Sequence, residues 1–150
     1  LQQKLPPVEA LVARYHTPQP RLAPGQALAG IASAALDISD GLLADIHQLC
    51  VASGVGAVID QPAIPLSPEA QHMLLQDAAC WDAVFAGGDD YELCFSAAPA
   101  QRQAIAALSQ RLVLPLTRIG SVMEMGDDRL LIRDAVGGVM PAEALGFEHG

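Results

Sequence analysis

The sequence predicts an α+β domain, a mixed β-sheet packed with α-helices, and three observations carry that expectation. The chain has 150 residues, the size of one ordinary domain with a real core. Its residues are 51% hydrophobic but only 4% aromatic, so Ala, Leu, Val and Ile must fill the interior, a composition suited to close helix–sheet packing. Short β-branched runs also alternate with longer segments of helical period. No internal repeat or interdomain linker interrupts the chain, and residues 1–150 read as a single domain. The sequence opens on Leu1 rather than Met, so the expectation is a fragment of a longer protein.

The elements follow in order. Pro7, Val8, Leu11, Val12 and Tyr15 suit a short amphipathic helix with proline in its first turn. Thr17–Gly25 carries three prolines and a glycine and reads as extended loop. The small apolar run Ala27–Ile38 leads through Asp37-Ile38-Ser39-Asp40-Gly41 into Leu42, Leu43, Ile46, Leu49 and Cys50, which repeat at helical spacing. Ser39 or Asp40 is the natural N-cap of that helix. Gly56–Asp60 reads as a strand. Ser67-Pro68-Glu69 supplies a cap, a first-turn proline and a first-turn acid for a helix to about Ala79. Leu93–Ala97 is strand-like, and Pro99 opens a helix to roughly Leu112. Arg118–Met123 and Arg129–Ile132, joined by Gly126-Asp127-Asp128, look like a hairpin.

A net charge of −9 argues against a nucleic-acid partner, which calls for a basic stripe. It also repels anionic substrates unless cations intervene, so phosphates would be handled through divalent metal. No run approaches the ~18 apolar residues of a membrane span, and no basic-then-apolar signal opens the chain. Cys50, Cys80 and Cys94 are odd in number and form no C-x-x-C pair, which suits buried thiols of a reducing cytoplasm. His16, His47, His72 and His149 are scattered without ligand spacing. There is no G-x-S-x-G elbow and no G-x-x-x-x-G-K-S/T phosphate loop. A phosphohydrolase with a D-x-D pair would want a downstream lysine, and the sole lysine is Lys4.

Two constellations remain. Asp37 and Ser39 lie two apart and share a face if the strand reaches them, and Asp40 begins the turn. Two carboxylates and a hydroxyl at the carboxyl end of a strand suit Mg²⁺, which takes hard oxygen ligands and keeps some water. The helix N-terminus behind them would add partial positive charge and free N–H groups for an anion. The same spacing equally fits a helix cap at Asp40 and a solvated Asp37. The second constellation is Gly87-Gly88-Asp89-Asp90-Tyr91-Glu92, where glycines permit close backbone approach and three acids repel one another unless a cation or donor offsets them. Its plainer reading is an acidic turn with Tyr91 packed inward and Glu92 exposed. Arg14, Arg21 and Arg118 are candidate phosphate contacts or surface charges.

With both constellations in place, the sequence resembles the thiamine-monophosphate kinase family. Arg14-Tyr15-His16 through Pro18-Gln19-Pro20-Arg21 is similar to that family's R-Y-x-x-P-x-P-R. Ala35 to Leu42 matches A-I/L-D-I-S-D-G-L, and Gly87 to Leu93 matches G-G-E-D-Y-E-L with Asp89 in place of Glu. Gly146-Phe147-Glu148-His149 resembles the closing G-aromatic-D/Q-H. The four motifs occur in order along nearly the whole chain.

The resemblance implies ATP- and Mg²⁺-dependent phosphorylation of thiamine monophosphate to thiamine diphosphate, on a fold like the C-terminal domain of aminoimidazole ribonucleotide synthetase. By position, Asp37 and Asp40 would bind Mg²⁺, Ser39 would contact ATP, and Asp89 and Phe147 would bind substrate; no covalent catalytic residue is implied. The chain would be the C-terminal half of a cytoplasmic, two-domain enzyme that dimerises when full-length, and it would be inactive without its N-terminal domain. Two alternatives stand beside this reading: another ATP-using member of the superfamily, or a non-catalytic ligand- or metal-binding module.

Overall fold

The computed structural model of the chain describes residues 7–89 and 91–145. Among the described residues, six helices pack with six strands arranged in two sheets. In chain order they are α1 (Pro7–His16), α2 (Leu22–Ala27), β1 (Ala34–Asp37), α3 (Leu42–Ser53), β2 (Gly56–Asp60), α4 (Pro68–Gln76), α5 (Cys80–Ala86), β3 (Leu93–Ser96), α6 (Arg102–Leu112), β4 (Gly120–Met123), β5 (Leu130–Arg133) and β6 (Val139–Pro141). Short 3₁₀ turns lie between β2 and α4, before α6 and after β6. The fold is α+β with a mixed sheet, as the composition indicates.

The larger sheet has the order β4-β2-β5-β6. β2 runs antiparallel to β4 and parallel to β5, and β6 closes the far edge antiparallel to β5. The expected hairpin of residues 118–132 therefore does not pair with itself. Its two arms straddle β2, with Ala57 opposite Val122 on one side and Leu130 on the other. Burial explains the choice: β2 is buried at Gly56, Ala57 and Ile59, and a central position satisfies both of its edges while covering that surface. The second sheet is the antiparallel pair β1–β3, with Asp37 opposite Leu93.

Helix α3 touches both sheets, packing on β1, β2 and β5 as well as on α5. Its apolar stripe Leu43, Ile46 and Cys50 recurs at helical spacing and enters the core with Ala57, Ile59, Phe85, Leu130, Ile132 and Ala142. Gly54, in the left-handed conformation, ends α3. Trp81 stacks on Phe85 at 5.3 Å between ring centroids and extends this core along α5.

Two further boundaries differ from expectation. The proline-rich run 17–25 is not extended throughout, because α2 begins at Leu22 and carries Pro24 inside its first turn, where a missing N–H costs nothing. The helix opened by Ser67, whose hydroxyl accepts the Ala70 amide, stops at Gln76 rather than Ala79. Asp77 turns extended and its carboxylate caps the Ala79 amide, so a separate α5 starts at Cys80.

Candidate functional site

Antiparallel pairing of β1 with β3 sets the carboxyl end of β1 beside the start of β3, and this alignment brings the two acidic constellations together. Beyond the last ladder pair the backbones continue to bond. The Ile38 amide donates to Glu92 O at 2.8 Å, Tyr91 N donates to Ile38 O at 2.8 Å, and Asp89 N donates to Ser39 O at 2.9 Å. A metal is thus not needed to gather the two loops; main-chain hydrogen bonds do so.

Two glycines make the approach possible. A Cβ on Gly88 would overlap the Ser39 carbonyl oxygen. Gly41 takes φ +127, and a Cβ there would stand 3.0 Å from the Ala86 carbonyl, where the end of α5 presses on the loop. Asp89 and Tyr91 hold the left-handed conformation at φ 66 and φ 50, backbone strain of the kind that concentrates at functional loops.

Asp37 and Asp40 are exposed and Ser39 and Asp89 are half-buried. The Ser39 hydroxyl is 3.4 Å from Asp40 Oδ1. Asp89 accepts from two tyrosines at once, Tyr15 Oη on Oδ2 and Tyr91 Oη on Oδ1, each at 3.1 Å. The bond to Asp89 and that carboxylate's charge push the Tyr91 hydroxyl above its ordinary value, with a smaller push from Asp37. Asp37 and Asp89 thus both bear on one phenol. An open cleft of about 360 Å³ adjoins this group, walled by Leu11, Val12, Ala83 and Gly87 and reaching Arg14, Tyr15 and Asp89. Phe147 and Asp90 lie outside the described residues.

Three expectations change here. The helix that follows the first loop has no side-chain cap from Ser39 or Asp40; Gly41 is its N-cap. The amides of Ser39, Asp40 and Gly41 are not free for an anion, because Asp45 Oδ2 accepts all three, at 2.8, 3.0 and 3.3 Å. In the second loop the expected orientations are reversed: Tyr91 is exposed, while Glu92 is half-buried and held by Arg14 and by both Arg21 Nε, at 2.7 Å, and Arg21 Nη2, at 2.6 Å. Arg14 and Arg21 are therefore neither idle surface charges nor open phosphate contacts. Arg118, by contrast, bonds the Gly120 carbonyl and Ser121 at the start of β4. Asp45, Tyr15 and the arginine pair on Glu92 escaped the sequence reading. The first-turn acid of α3 was the one signal that pointed to Asp45.

The Glu92 ion pairs have a pH signature. Hydrogen bonds from Arg21 hold its carboxyl below the ordinary 4.5, against the opposing effect of burial, with Arg14 adding to the lowering. A carboxyl lowered in the folded state contributes stability that is present above about pH 4.5 and lost as pH falls through its folded value. Glu92→Gln is expected to remove about 1 kcal/mol at neutral pH, a modest figure because the pairs are partly solvated. Thermal unfolding followed from pH 7 down to about 3 should show the wild-type advantage over the variant shrinking from about pH 5 downward.

Asp37, Ser39, Asp40 and Asp89 offer only hard oxygen donors, the kind that Mg²⁺ takes from one or two carboxylates together with substrate oxygens. Among the described residues no group of three or more His, Cys, Asp or Glu side chains is placed to hold a metal ion. Also among the described residues, no helix is long and apolar enough to cross a membrane. The three cysteines are unpaired, and burial pushes the Cys94 thiol up to about 11, with smaller contributions from Asp45 and Cys50.

Comparison with known proteins sets this site in context. The chain is 38% identical over 126 residues to the thiamine-monophosphate kinase of Salmonella typhimurium, taking in 84% of this chain and 38% of that protein. The crystal structure of thiamine-monophosphate kinase from Stenotrophomonas maltophilia K279a superposes with a TM-score of 0.78 at 39% identity, over 88% of this chain and 41% of the other. AaThiL, solved in complex with AMPPCP and TMP, superposes with a TM-score of 0.68 at 28% identity, over 88% of this chain and 40% of its own. The chain spans about two fifths of the length of these relatives. Residues 10–133 match the family described as AIR synthase related protein, C-terminal domain. The chain belongs to that family.

Proposed function

We propose that this chain is the substrate-side, C-terminal portion of a cytoplasmic kinase that transfers the γ-phosphoryl group of ATP to thiamine monophosphate. The observation that carries the reading is the joining of the two acidic loops by main-chain bonds, Asp89 N to Ser39 O and its neighbours, beside the exposed Asp37 and Asp40 and the half-buried Ser39 and Asp89. The likeness to AaThiL, whose complex contains AMPPCP and TMP, supports both ligands.

Phosphoryl transfer requires positioning and charge neutralisation more than a covalent nucleophile. Asp37 and Asp40 would hold Mg²⁺, which supplies charge neutralisation at the phosphate oxygens when bound. The Ser39 hydroxyl, paired with Asp40 only at 3.4 Å, is available to donate to a phosphate oxygen of ATP. Asp89, oriented from two sides by Tyr15 and Tyr91, presents a fixed carboxylate to thiamine monophosphate. The apolar wall of the neighbouring cleft, Leu11, Val12 and Ala83, suits the uncharged part of that substrate. Phe147, in the terminal motif, would also bind this substrate. The remaining nucleotide contacts would come from an N-terminal domain, and the full-length protein would be a homodimer.

The test is direct. The full-length protein, given ATP, Mg²⁺ and thiamine monophosphate, should form thiamine diphosphate and ADP, and the 150-residue chain alone should not. A full-length protein that binds thiamine monophosphate calorimetrically but turns none of it over would favour the non-catalytic module instead.

A further inference from the structure

The most deeply buried charge among the described residues belongs to the first turn of α3, and it does not face the site. Asp45 is 7% exposed and is the one buried polar or charged side chain among them. Its Oδ2 takes the amides of three consecutive residues, Ser39, Asp40 and Gly41. A carboxylate held this way fixes the backbone of a three-residue turn, because each amide must point inward to the same oxygen. With the amides turned inward, the side chains of Ser39 and Asp40 are left directed away from the core, Ser39 half-buried and Asp40 exposed.

An ordinary capping role accounts for part of this. A cap satisfies the first amides of its own helix, whereas Asp45 reaches backwards from inside α3 to amides that precede it. Of those three residues, Ser39 is also the acceptor for Asp89 N of the second loop. One buried carboxylate thus fixes the first loop, and through Ser39 O it fixes the second.

We infer that Asp45 is a positioning residue: it presets the Ser39–Gly41 turn so that the Asp40 carboxylate and the Ser39 hydroxyl are held ready for a divalent cation and a phosphate. The inference rests on the assignment of Asp40 and Ser39 given above, and it withdraws the amides of Ser39, Asp40 and Gly41 from anion binding. At residues 39–41 phosphate would then be met by the hydroxyl and the cation rather than by main-chain N–H groups.

The experiment is a titration of this chain with Mn²⁺, read by paramagnetic broadening of the backbone amide signals of residues 37–41, alongside amide hydrogen exchange. Wild type should show selective broadening there, with slow exchange at 39, 40 and 41. In Asp45→Asn, exchange at those three amides should quicken about ten-fold or more while β2 stays protected, and about ten-fold more Mn²⁺ should be needed for the same broadening. Should that variant fail to fold, Asp45→Ser, smaller and able to accept one N–H, is to be read the same way. Faster exchange with unchanged Mn²⁺ response would overturn the inference by making Asp45 a structural cap only. Absence of any Mn²⁺ broadening in wild type would overturn it as well. Failure of the full-length protein to make thiamine diphosphate, with the Mn²⁺ response intact and sensitive to Asp45, would instead remove the kinase reading and leave the positioning role standing.

Discussion

Asp40→Asn in the full-length protein is expected to lower turnover about 100-fold or more while leaving the fold unchanged. The contrast follows from how Asp40 is held. Its amide is fixed by Asp45, but its side chain is exposed and, among the described residues, its one hydrogen bond is from the Ser39 hydroxyl at 3.4 Å. Replacing one carboxylate oxygen by an amide group therefore disturbs no packed contact, and stability should stay within about 0.5 kcal/mol. What is lost is one negative charge from the set that would neutralise and orient the metal. Raising Mg²⁺ should recover part of the activity if the defect lies in metal affinity. Full activity at ordinary Mg²⁺ would sink the metal-ligand assignment, and a lowered melting temperature would mean that Asp40 is structural.

Gly88→Ala is the second substitution with a large expected effect, and here fold and function should fall together. A methyl group at this position meets the Ser39 carbonyl oxygen, a main-chain atom that cannot rotate away. Either the two loops separate and the bond from Asp89 N to Ser39 O breaks, or the strain spreads into β1 and β3. Overpacking of this kind costs about 1–3 kcal/mol, which for a domain near this size lowers the melting temperature by roughly 2–10 °C. Turnover should fall more than stability suggests, since the carboxylates of the two loops lose their common register. Gly126→Ala is the control: nothing stands within 4 Å of the added methyl, and neither property should move. An active, thermally unchanged Gly88→Ala protein would show that close loop contact is not required.

Much of the local structure was legible because local rules decide it. Gly56–Asp60 is a strand over the predicted range, and the Ser67-Pro68-Glu69 start of α4 is in place with its cap bond formed. The stripe of Leu43, Ile46 and Cys50 enters the core as its period requires. Tertiary partners decided the rest. The arms of the 118–132 segment read as a hairpin because their turn is local, yet β2, sixty residues earlier, offers each arm a better-buried neighbour. Glu92 read as exposed because its arginines lie seventy residues away in a separate motif. Asp45 was overlooked because one acid in a helix's first turn is ordinary, and its three amides show only once the chain has folded back on it. The motif residues themselves could be picked out, and their convergence could not, since it depends on the register of β1 against β3.

The placement of β2 between the arms of the 118–132 segment also bears on how the chain reaches its native state. β2 has no partner in the larger sheet until β4 is made, because residue 57 must wait for residues 122 and 130. Such distant pairings carry the loop-closure entropy of the intervening chain before any contact offsets it, so sheet formation should be slow compared with growth of α3 and α4. During synthesis β2 would leave the ribosome with both edges open and remain so while the next sixty residues follow. A chain stalled before β4 would carry a bare apolar strand, and that species is where aggregation of this domain should begin.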